Sequence, residues 1–201
     1  MTVNTQFITG AVLAGCLLAT AAVAEDPGRD EIIQQPLPGR FSVCFDHSCT
    51  TVVTASLNDA EWRRAIAPCD GTVTAADLER AVSARSIAIF EEIIGGHIGT
   101  SVDLGGNRAG MFRAGQLDSI DESTNTTTYL RMLEHHGLLR FHSVESTSTR
   151  FGLFVGMPHT TAVIRETASG QRYAVDSWFF DNGQPPYIAS LRDWKAGRDP
   201  Y

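Results

Sequence analysis

The sequence predicts an α+β domain. A long stretch of helical periodicity occupies the middle of the chain, two short β-branched segments precede it, and three strand-like segments follow the helices, with a last helical piece expected at Leu191–Trp194. Helices and strands are thus grouped rather than alternating, the pattern of helices packed against an antiparallel sheet.

At the N-terminus, the first 24 residues contain no charged side chain, and an apolar run from Phe7 to Val23 ends in Ala22-Val23-Ala24 before Glu25. This predicts a secretory signal peptide over residues 1–24 and a periplasmic or secreted location. The run is too short, with the wrong flanks, for a stable membrane span. A rival reading takes Leu13-Ala14-Gly15-Cys16 as a bacterial lipoprotein box, with Cys16 the lipidated residue. Residues 25–40, with Pro27, Pro36 and Pro38, read as an extended arm. Residues 41–201 then form one domain, divided into 41–114 and 115–201. A net charge of −7, with scattered arginines and the single lysine Lys195, carries no nucleic-acid footprint.

Phe41–Phe45 and Thr50–Ala55 read as two strands around an Asp46-His47-Ser48 turn. In an oxidising compartment Cys44 and Cys49 can close that turn as a disulfide, leaving Cys69 over. The cysteine spacing lacks the pattern of a metal site, and no metal or cofactor is expected. Asn58 or Asp59 caps a short helix that ends near Pro68. Thr74 opens the long helix; Leu78, Ala81, Val82, Ile89, Phe90 and Ile93 form its buried stripe, and Gly95-Gly96 stops it. The glycine-rich interval from Gly95 to Gly115 lacks the lysine and hydroxyl of a phosphate loop.

Ser119-Ile120-Asp121-Glu122 fits a capping box. Asn125-Thr126-Thr127-Thr128 is poor helix material, so either one continuous helix starts at Ser119 or a shorter one starts near Thr127; the continuous helix is expected, ending at Gly137. Strands follow at Leu139–Val144, His159–Glu166 and Gln171–Trp178. A four-residue turn at Thr167–Gly170 sets Glu166 opposite Gln171 and Thr161 opposite Asp176. His159 and Asp176 then fall on one face as diagonal neighbours within side-chain reach; a one-residue slip would separate them.

Ser119, His159 and Asp176 are thus a hydroxyl, an imidazole and a carboxylate in the order nucleophile, base, orienter. A helix start offers Ser119 positive potential and free N–H groups for an oxyanion. The plain alternative is that Ser119 is a helix cap and His159 a structural partner for Asp176. Asp181 is a second carboxylate nearby, in an expected turn.

Gln116-Leu117-Asp118-Ser119-Ile120-Asp121-Glu122-Ser123 and Ala174-Val175-Asp176-Ser177-Trp178 resemble segments of a group of uncharacterised exported bacterial proteins. The order of helix-start nucleophile, strand-start histidine and aspartate on the next strand resembles the transglutaminase-like branch of the papain-like superfamily. The resemblance implies a core over 115–201 with the nucleophile helix packed on an antiparallel sheet, and acyl transfer on amide bonds. The family nucleophile is cysteine, whereas this chain has Ser119. His159 and Asp176 match the base and orienter, and Gln116 is an oxyanion donor by proximity. Two functions follow as expectations: hydrolysis or transamidation of a peptide, protein or cell-wall substrate, or non-catalytic recognition of a peptide or cell-wall fragment by the same cleft.

Overall fold

The computed structural model describes residues 32–71, 73–106, 110, 112–151 and 158–201; the expected leader, its expected cleavage point after Ala24 and the rival site Cys16 lie outside them. In chain order come β1 (Phe41–Phe45), β2 (Thr51–Ala55), α1 (Asp59–Ile66) with a 3-10 turn at Ala67–Cys69, α2 (Ala76–Ile98) and α3 (Ser119–His135). Then follow β3 (His142–Phe151), β4 (Pro158–Glu166), β5 (Arg172–Asp176), β6 (Tyr187–Ser190) and α4 (Leu191–Lys195). β1 and β2 form a hairpin, and β3-β4-β5-β6 form an antiparallel sheet in sequence order. The architecture is α+β. Among the described residues no helix is long and apolar enough to cross a membrane.

Alternation along β4 and β5 gives the sheet two apolar faces. Ala162, Ile164 and Val175 pack with Phe90, Leu130 and Leu133 of the helices, whereas Val163 and Ala174 pack under Leu191 and Trp194 of α4. β6 and the C-terminal half of β3 are additions to the strands the sequence predicts. β3 carries a bulge between Glu145 and Ser148, and its run of serines, threonines and charges has no apolar alternation to betray a strand.

α2 departs from expectation at both ends. Its cap residue is Ala75, with no side-chain hydrogen bond, and the helix continues through Gly95 and Gly96 to a left-handed Gly99. Gly95 is there for packing: a Cβ would lie 2.9 Å from Asn182 Oδ1 and 3.0 Å from Ser101 N. Of the expected stripe, Val82, Phe90 and Ile93 are buried and Ile89 is half-buried, but Leu78 and Ala81 are exposed, and Glu79, Ser83, Ser86 and Glu91 are buried beside the apolar residues. Simple periodicity missed this face because polar side chains make up so much of it.

Helix α3 is continuous, and its poor helix formers all have tertiary or local partners. Asn125 accepts from Cys44 N and donates to Cys44 O, both at 2.8 Å. Thr127 and Thr128 hydroxyls donate back to Ser123 O and Thr124 O, while Thr126 meets Ser177 Oγ at 3.0 Å. Burial of these partners outweighs the few tenths of a kcal/mol, roughly, by which each residue disfavours helix. The cap differs from the expected pair: Asp118 caps the helix and Asp121 closes the box, so Ser119 is the first helical residue.

The link between α2 and the sheet is a buried carboxylate. Glu79 accepts from the amides of Arg140 (2.6 Å), Phe141 (3.0 Å) and His142 (3.0 Å), and from His142 Nδ1 (2.8 Å). Arg80 lies 3.1 Å from His142 Nε2 and can only donate, so Nε2 accepts and the ring proton sits on Nδ1, aimed at Glu79. Burial disfavours the charged carboxylate, but the hydrogen bonds from His142, Arg140 and Phe141 outweigh it and hold Glu79 below its ordinary value. Its stabilisation is present above the ordinary carboxyl range and is lost as pH falls through the lower, folded value. Glu79→Ala is expected to lower the unfolding free energy by about 3–5 kcal/mol, because it strands three amides and a histidine; urea denaturation measures this, and a loss under about 1 kcal/mol would show that water replaces the carboxylate.

Candidate functional site

The β4–β5 register is the expected one. Ala162 faces Val175 and Val163 faces Ala174, with Glu166 N donating to Gln171 O across the turn. His159 and Asp176 consequently meet: Nε2 lies 2.7 Å from Asp176 Oδ2. A carboxylate accepts, so Nε2 donates and the lone pair is on Nδ1, the nitrogen left for a nucleophile's proton.

Sequence reasoning missed the group that completes this pair. Trp194, fully buried in α4, donates Nε1 to the same Asp176 oxygen at 2.6 Å, and its ring centroid lies 5.5 Å from that of His159. Trp178 and Phe179 enclose the imidazole further, at 4.8 and 5.4 Å. Arg150 stacks on the Trp194 ring and donates to the Trp194 carbonyl and to Asp199. The available signal was a buried strand aspartate needing more donors than one histidine supplies. Asp181 is elsewhere: its carboxylate accepts from Gly105 N at 2.9 Å.

Ser119 comes to the same place from α3. Its Oγ accepts from Thr160 N at 3.2 Å, which sets the hydroxyl beside the backbone of the residue after His159. Among the described residues no hydrogen bond joins Ser119 to His159. The first turn of α3 offers less to an oxyanion than expected, since the amides of Ile120 and Asp121 are both taken by Asp118 Oδ1 at 2.9 Å. The Ser119 amide is the one the cap leaves over. Gln116 is buried and braces the preceding loop, Nε2 donating to Val102 O (2.8 Å) and Oε1 accepting from Leu104 N (3.2 Å).

The other side of the helix start is held by the β1–β2 turn. Cys44 and Cys49 are joined, Cα atoms 4.8 Å apart, and Cys69 is free and buried. Asp46, His47, Ser48 and Cys49 all have positive φ. The amides of His47 and Cys49 donate to Asp121 (2.8 and 2.7 Å), and that of Ser48 to Asp118 (2.9 Å). Such a run of inward N–H groups is a concave anion receptor. The group of metal-ligating atoms found close together among the described residues is Cys44, Cys49 and Asp121, and its sulfurs are already bonded to each other.

Behind the site lies a group of buried acids. Burial pushes Glu91 up to about 7 and Asp103 up to about 6. Glu122 is raised well above its ordinary value by burial and by the nearby Glu91 and Asp103. Burial and the adjacent Asp118 push Asp121 up to about 6 against the pull of its amide donors. Glu91 Oε1 has no hydrogen-bond partner.

These acids bind protons more tightly in the folded chain than in the unfolded one, so their stabilisation is complete below the ordinary carboxyl range and is lost as pH rises through about 6 to about 7. Thermal unfolding at about pH 5 is therefore expected at a higher temperature than at about pH 8. Glu122→Gln should flatten the difference and raise stability at the higher pH; an unchanged pH profile would remove Glu122 from the cause. Separately, Trp194→Phe keeps the ring over His159 but removes the N–H from Asp176. It should cost about 1.5–3 kcal/mol of unfolding free energy, and equal stability in chemical denaturation would show Asp176 satisfied without the indole.

No protein-family model matches this chain, and neither the curated proteins nor the solved structures contain a match to it, so its site is read from its own geometry.

Proposed function

We propose that this protein is an exported, transglutaminase-like domain of the papain-like kind whose cleft is built for acyl transfer on amide bonds. In this reading position 119 attacks, His159 is the base and Asp176 is the orienter. The observation that carries it is the 2.7 Å His159–Asp176 hydrogen bond, on a strand start that also presents its next amide to Ser119.

The chemistry follows from that arrangement. Asp176 and Trp194 hold the imidazole so that Nδ1 is the basic nitrogen. Nδ1 takes the hydroxyl proton as Oγ attacks the carbonyl carbon, and the resulting imidazolium is stabilised by the carboxylate on its other side. The Ser119 amide faces the oxyanion, with Gln116 fixing the loop that leads into the helix. The imidazolium returns its proton to the departing amine, leaving an acyl ester on Ser119. Water then gives hydrolysis, and an amine gives transamidation. The substrate class is a peptide, protein or cell-wall amide in the periplasm or outside the cell.

A second reading keeps the cleft for recognition alone. It is favoured by the lack, among the described residues, of a hydrogen bond from the Ser119 hydroxyl to His159, and by the acids around the helix start, which oppose a developing oxyanion.

Position 119 separates the two. Ser119→Cys is expected to give a thiol with a pKa of about 3.5–7.5 instead of roughly 8.5, read as alkylation rate against pH. Cys44 and Cys49 are protected by their bond, and burial pushes the Cys69 thiol up, so Cys69→Ala suffices to clear the background. His159→Ala should return the introduced thiol to near its ordinary value. Turnover of an amide library by the native serine would support catalysis; an activated thiol in the Ser119→Cys variant beside an inert native serine would support recognition. A thiol titrating like free cysteine would leave Ser119 as a plain helix residue.

A further inference from the structure

The face of the sheet that carries α4 also carries a groove whose charge runs against that of the whole chain. It encloses about 710 Å³ and is lined by Gln171, Arg172, Ser190, Arg192, Asp193 and Lys195. Through Arg172 and Leu191 it continues into a second hollow of about 520 Å³ beside the β3 bulge, where Arg131 and the hydroxyls of Ser146, Thr147 and Ser148 stand with Glu145.

The charges there are not internally balanced. The chain carries a net −7, yet its single lysine and three of its arginines converge on this groove. Arg172 is directly opposite Arg165 in the β4–β5 register, a cross-strand like-charge pair that destabilises a sheet unless an anion lies over it. The ion pairs of the described residues use none of Arg165, Arg172, Arg192 or Lys195. Asp193, the acid of the larger hollow, is instead paired with Arg198 at 3.2 Å. Glu145 is the acid of the smaller one and disfavours an anion at that end. The cationic end is therefore Arg172, Arg192 and Lys195, with the Ser190 hydroxyl beside them; Ser190 Oγ accepts from Asp193 N, which leaves its proton to donate.

We propose that this groove is a binding site for a phosphate-bearing polyanion, separate from the Ser119–His159–Asp176 group. Guanidinium forks match phosphate oxygens in pairs, and Lys195 adds a point charge. The hollow is within the size range of small-molecule sites, roughly 300–1,000 Å³, and its several separate cations, continued by Arg131 in the adjoining hollow, match several phosphates better than one. Both a soluble phosphate chain and a row of phospholipid headgroups present this chemistry.

The test uses the folded mature chain. Inorganic tripolyphosphate is titrated calorimetrically at low salt, and flotation is measured with phosphatidylcholine vesicles with and without phosphatidylglycerol. Arg172→Gln with Lys195→Gln should weaken binding by at least about tenfold. The control, Arg63→Gln with Arg85→Gln on α1 and α2, removes the same two charges elsewhere and should leave binding within about twofold. Circular dichroism confirms that both variants fold. Groove-dependent binding of tripolyphosphate assigns a soluble ligand; groove-dependent flotation on the anionic vesicles alone assigns a lipid surface. Equal losses in both variants, or no binding to either probe by the parent chain, would overturn the proposal.

Discussion

A carboxylate taken out of water must be given donors in its place, and this fold is arranged around that requirement. Glu79 gathers three successive amides and a histidine at the start of β3 and so fixes the angle between α2 and the sheet. Asp121 gathers amides from the β1–β2 turn and so fixes where α3 begins. Asp176 gathers an imidazole and an indole and so fixes the site. In each case one buried charge joins elements far apart in sequence, and an isolated buried ion would be intolerable without them.

The same requirement explains which parts of the fold were legible. Register was readable because the Thr167–Gly170 turn and the alternation of β4 and β5 agree, and the meeting of His159 with Asp176 follows from register alone. The continuous α3 was readable only as a preference, since Asn125 and the threonines disfavour helix locally; Asn125 and Thr126 are retained by partners on β1 and beside Asp176, Thr127 and Thr128 by carbonyls one turn back. The buried face of α2 was hidden because Glu79, Ser83, Ser86 and Glu91 look like solvent-facing positions until their partners are known. The end of α2 was misplaced for a related reason: Gly95 makes room for Asn182, far along the sequence, whereas Gly99 is the residue that turns left-handed.

Trp194 was invisible for want of a pattern. Nothing in the short segment Leu191–Lys195 announces that its tryptophan is the second donor to a strand aspartate, and β6, which delivers it, has four residues. Burial also distributes the acids unevenly: those with several N–H donors anchor elements, while Glu91 and Glu122, with fewer, hold protons instead. Glu122 lies one helical turn along from Ser119, with Glu91 beside it, so the potential around that hydroxyl is set by protonation as much as by the helix dipole.

The four left-handed residues from Asp46 to Cys49 bear on how this chain can vary. Each such residue is disfavoured by roughly 1–2 kcal/mol, so the turn persists through what holds it: the Cys44–Cys49 bond and the pair of aspartates that also starts α3. The turn and the helix start consequently share these two aspartates. A substitution at Asp118 or Asp121 acts on both at once, and glycines in the turn would loosen that dependence by relieving its backbone. Drift in such a fold would therefore be coupled between segments 70 or more positions apart, with the hairpin turn changing in step with the helix that begins at Ser119.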